Sequence, residues 1–163
     1  MPVTTDIVQT YRGPGRVVRR LLAMGQREDR ALAIVMAACV VFFVARWPAL
    51  SREAHLSGQE LDMLLGGSLL ALVMILPLVL YAVAFVCHLV LRALKVGVSS
   101  YGARFVLFWA LLASSPLVLL NGLVAGFIGP GPAQSAVGVV WLAVFLWFWG
   151  AGLWAASGQE DAA

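Results

Sequence analysis

The stretch from Leu61 to Leu94 constrains this chain more than any other feature: it is a long apolar run, interrupted by Asp62 near its start, Pro77 in the middle, and His88 and Arg92 near its end. As a helix it would extend about 50 Å, against roughly 30 Å for the hydrocarbon core of a bilayer. It is either one long helix kinked at Pro77 that projects past the membrane, or two short spans that meet there.

The rest of the chain points the same way. Of its 163 residues 62% are hydrophobic and 12% charged, with a mean hydropathy of +0.94, whereas soluble proteins carry about 25% charged residues. The composition predicts an all-α, polytopic transmembrane helix bundle of four or five spans with no separate soluble domain. Three further spans are read at Ala31–Ala45 (closed by Arg46, Trp47 and Pro48), Phe105–Ile128 and Ser135–Ala156. Ser57 and Glu60 match a capping box that would start the second span near Gly58. The domain boundaries that follow are an interfacial segment over 1–30, a helical bundle over 31–156 and a short, disordered acidic tail over 157–163.

Charge arbitrates the span count. Tyr11–Arg30 holds six of the eleven basic residues, and Arg92, Lys95 and Arg104 form a second basic stretch without an acid. The positive-inside rule puts both on the cytoplasmic side, which needs an even number of crossings between them. Four spans are therefore favoured, with both termini cytoplasmic; a chain that turned at Pro77 would have five and would export the second basic stretch. Met36-Ala37-Ala38-Cys39 loosely matches a lipoprotein cleavage site, but the apolar run continues past Cys39, which argues for an uncleaved span.

Within the basic segment, Thr5 or Asp6 is positioned to cap a short helix, Gly13-Pro14-Gly15 breaks it, and a second helix starts at Pro14 and ends near Gly25. On that second helix Val17, Val18, Leu21, Leu22 and Met24 share one face and Arg16, Arg19 and Arg20 the other. This is the pattern of an amphipathic helix lying in a membrane surface, its valines and leucines in the leaflet and Arg12, Arg16, Arg19, Arg20 and Arg27 on anionic headgroups. Nucleic acid is not an expected partner, since the basic charge follows topology and does not cover the whole chain.

Chemistry has few footholds. No Asp, Glu, Lys or Arg falls near the middle of a span, where such residues are usually functional. His88 and Cys87 point about 100° apart on a helix and cannot readily share a metal. No phosphate loop, carboxylate pair or activated nucleophile occurs, so neither an enzymatic activity nor a cofactor is expected. Pro77 and Pro116 mark kinks, and Ser114, Ser115 and Asn121 offer polar groups to backbone carbonyls freed by a kink. Such a cluster could line a small transporter or channel; a passive kink is the plainer reading. Gly122 and Gly126 form a GxxxG, and Gly67 with Ala71 and Ala151 with Ala155 have small-xxx-small spacing, all suited to close helix packing within one bundle or in a homo-oligomer. The aromatics of the last span read as interface anchors and lipid-facing bulk.

DIVQTYRGPGRVVRRLLAMGQREDRALA, LDMLLGG and YGARFVLFWALLASSPLVLLNGLVAGFIGPGP resemble the alphaproteobacterial branch of the YIP1 family. The resemblance covers nearly the whole chain and implies a non-enzymatic, multi-pass protein of the bacterial inner membrane with a scaffolding, accessory or membrane-organising role. It transfers no functional residues, because the eukaryotic DLYGP-type motif is not intact here. An accessory subunit of a respiratory or photosynthetic complex, with a membrane-protein partner, is the other alternative.

Overall fold

The computed structural model describes residues 3–160; Met1, Pro2 and the end of the acidic tail, 161–163, lie outside the described residues. Every element described is helical: α1 (Val3–Thr10), α2 (Pro14–Leu22), α3 (Glu28–Ser57), α4 (Leu61–Leu69), a π-helical turn (Leu70–Ile75), α5 (Leu76–Ala93), α6 (Ser100–Ala113), α7 (Ser115–Phe127) and α8 (Pro132–Glu160). Three helices are long and apolar enough to cross a membrane, and a fourth span results if the bent pair α6 and α7 counts as one.

The long apolar stretch forms one continuous helix, Leu61–Ala93. The chain does not turn at Pro77. Proline lacks an N–H and its ring crowds the carbonyl four residues earlier. Here the π-helical turn Leu70–Ile75 comes just before Pro77, in the first turn of α5, and opens the ladder where that conflict would fall.

α3 is longer than the expected Ala31–Ala45. It continues through Pro48 to Ser57, where Gly58 closes it with φ +69° and donates its N–H to the Ala54 carbonyl at 3.0 Å. The extension is held by burial: Leu50 is enclosed, and Pro48 packs where Gly126 of α7 has no side chain. The expected capping box does not form. Ser57 Oγ donates to the Glu53 carbonyl at 2.7 Å, and Glu60 precedes α4 without a side-chain cap.

α6 is the central element, buried along almost its whole length. Ser99 starts it by accepting the Gly102 N–H at 3.0 Å. At Ser114 the direction changes by 44° and α7 begins, with Pro116 in its first turn, where a missing N–H leaves nothing unpaired. α8 runs through 157–160, so that part of the expected disordered tail is helical. Its aromatics do not all face outward: Phe148 is buried, Trp141, Phe145 and Trp149 pack on the core, and Trp147 and Trp154 are exposed.

The long elements alternate in direction. Glu28 pairs with Arg104 and the Arg27 carbonyl accepts from Tyr101 at one end. At the other end Arg52 donates to the Gly126 carbonyl and Asn121 to that of Gln134.

Candidate membrane-surface site

The basic segment folds into a helical hairpin that is closed by one ion pair and pinned to the bundle by two side-chain contacts. Asp6, expected at a helix start, lies inside α1, buried, and forms an ion pair with Arg20 of α2. Thr10 is fully buried; its hydroxyl donates to the Asp6 carbonyl at 2.7 Å and accepts from Trp109 Nε1 of α6 at 3.2 Å. Tyr11 sets its ring edge-on against Phe148 of α8, with centroids 4.9 Å apart, and partial burial pushes its phenol above the usual tyrosine pKa.

α2 then crosses the last apolar turns of α8. Gly15 lies so close to Ala151 and Ala155 that a Cβ there would stand 3.4 Å from the Ala155 methyl, and Val18 reaches Gly152 and Val106. The small-xxx-small pair Ala151 and Ala155 therefore receives α2. This corrects the expectation that the apolar face lies in the leaflet: Val17, Val18 and Leu21 are buried in the protein core, Leu22 is partly buried, and only Met24 is exposed. Sequence periodicity shows that a face is apolar; it does not say whether lipid or protein covers it.

The arginines fall into two groups. Arg12, Arg16, Arg19 and Arg20 are exposed on the hairpin. Arg20 also donates to Gln9 Oε1 at 3.0 Å. Past Gly25, whose φ of +91° ends the hairpin, Arg27 pairs with Asp29 at 2.8 Å and Arg30 reaches the Leu21 carbonyl at 3.4 Å while lying over the Phe105 ring. With Arg92, Lys95 and Arg104, every Lys and Arg except Arg46 and Arg52 gathers at this end of the bundle.

The glycines divide as well. A Cβ on Gly122 would overlap the Ala45 carbonyl, and one on Gly126 would overlap Pro48, so this GxxxG sets the approach of α3 and α7. Gly67 faces open space and brings no helix close.

Pro77, Ser114, Ser115, Pro116 and Asn121 are not assembled into one site. Pro77 is buried in α5, which packs on α6 and α3, and Pro116 is exposed. Ser114 Oγ donates to the Leu111 carbonyl at 3.1 Å and accepts from Trp141 Nε1 at 3.1 Å, while Asn121 donates to the Gln134 carbonyl at 3.0 Å. The nearby cavity of about 280 Å³ is lined by Phe42, Val118, Asn121, Gly138 and Trp141, with the amide as its one polar side chain apart from the engaged indole N–H.

The sequence does not single out Gln9, Thr10 or Trp109, and it marks Asp6 as a helix cap and not as the partner of Arg20. Each is an ordinary residue locally, and only the fold brings Thr10 to an indole 99 positions away.

The chain is thus an all-helical protein with several helices compatible with a multi-pass membrane protein, carrying a docked basic hairpin at one end. No protein-family profile, curated protein or solved structure matches it.

Proposed function

We propose that the chain is a non-enzymatic protein of YIP1 type in the bacterial inner membrane, crossing it four times with the hairpin end cytoplasmic. There it acts as a scaffold or accessory that organises the anionic inner leaflet. The observation that carries this reading is the gathering of every Lys and Arg except Arg46 and Arg52 at the end where α2 crosses α8. Basic residues near an anionic surface gain about 1 kcal/mol each. Because α2 is docked on α8, those charges are held by the bundle itself and do not depend on a free helix finding the lipid.

Selectivity for spin-labelled lipids tests it. In reconstituted bilayers, motionally restricted phosphatidylglycerol should exceed phosphatidylcholine around the full-length protein, with the preference falling as salt is raised. Equal restriction of the two lipids would overturn the reading. The transporter alternative draws on no comparable observation, since Ser114 and Asn121 each bond within the protein. Mass analysis of proteins that copurify in mild detergent would test the accessory-subunit alternative.

A further inference from the structure

We propose that the space between α1 and α2 binds the phosphate of one anionic glycerophospholipid, whose acyl chain lies in the adjoining cleft against α8. This rests on the reading that the hairpin end faces an anionic leaflet. The space has a volume of about 310 Å³ and is lined by Gln9, Arg12, Gly13, Arg16, Val17 and Arg20. Arg20 is engaged by Asp6 and Gln9. The side chains of Arg12 and Arg16 have no acceptor among the described residues. Three guanidinium groups therefore border one cavity with a single carboxylate among them, a surplus of positive charge that a phosphate would relieve through paired N–H donors.

Gly13 shapes the space. A Cβ there would stand 2.9 Å from Arg16 Nε, so the missing side chain lets this guanidinium fold back over the turn. Arg16 and Gly13 also line a second cleft, of about 490 Å³, which Arg19 borders and which continues along Trp147, Ala151, Trp154 and Ala155 of α8. Its floor is shallow in side chains because Gly15, Ala151 and Ala155 are small. A cationic cavity that shares Gly13 and Arg16 with a cleft apolar along α8 matches a lipid phosphate with its attached chain. Inorganic phosphate would occupy only the first part.

The test is native mass spectrometry of the full-length protein in detergent, titrated with phosphatidylglycerol or phosphatidylethanolamine. The native chain should retain one phosphatidylglycerol. The double variant Arg12→Gln with Arg16→Gln should weaken that binding tenfold or more, while Arg46→Gln, an exposed arginine away from the basic end, should leave it unchanged. Unaltered helicity and elution volume would show that the double variant folds, and Arg12→Lys with Arg16→Lys should recover part of the binding. Equal retention by native and double-Gln chains would overturn the site, even if the spin-label preference for anionic lipid stands. Displacement of the lipid by millimolar inorganic phosphate would overturn the lipid assignment.

Discussion

Trp109 donates its indole N–H to the Thr10 hydroxyl at 3.2 Å, joining the first helix of the chain to the most deeply buried one. A buried donor left without its partner is worth about 1–3 kcal/mol. Thr10→Val keeps the shape of the side chain and removes the acceptor, so it should destabilise the protein by that amount. Hydrogen exchange should show it most clearly, as faster exchange over Val3–Leu22 with little change in α7. Unchanged protection of the hairpin would mean that this bond does not hold it.

The ion pair between Asp6 and Arg20 gives a second, separable prediction. The Asp6 carboxylate is 8% exposed and the Arg20 side chain 41% exposed. Losing the arginine strands a carboxylate away from water, whereas losing the carboxylate strands nothing. Arg20→Gln should therefore lower thermal stability more than Asp6→Asn. In the double variant most of the Arg20→Gln loss should be recovered. Additive losses would show that the two residues act independently.

Packing of α3 on α7 sets the third. Gly122→Leu and Gly126→Leu place side chains into the Ala45 carbonyl and into Pro48, and overpacking of this kind costs about 1–3 kcal/mol or more. Gly67→Leu enters open space and should be tolerated. Thermal unfolding in detergent separates the two classes, and equal loss at all three positions would contradict the packing described.

Much of this architecture is visible in the residues before any coordinates. Pro14 and Gly25 bracket α2 as their backbone chemistry requires, and Gly129-Pro130-Gly131-Pro132 separates α7 from α8. The basic stretches predict that Leu61–Leu94 does not reverse, and one helix spans Leu61–Ala93. The errors lie where tertiary contacts override local signals. Pro48 reads as a stop, yet α3 continues because α7 offers glycine against the ring. Ser57 and Glu60 read as a cap, yet Ser57 bonds backward into α3. The apolar face of α2 reads as lipid-facing, yet Val106 and Gly152 cover it. For the site, the arginines are legible and the contacts that hold the hairpin are not: Gln9, Thr10 and Trp109 carry no local pattern that marks them, and Asp6 reads locally only as a helix cap.

The most direct test of the central claim, that both basic segments lie on one side of a membrane crossed four times, is labelling by a membrane-impermeant maleimide in intact cells. Single cysteines would be placed at Gln26, Gln59, Val96 and Gly131 in a Cys39→Ala, Cys87→Ala background. Gln59→Cys and Gly131→Cys should label from outside, and Gln26→Cys and Val96→Cys only after the membrane is opened. External labelling of Val96→Cys with Gln26→Cys still protected would contradict the account.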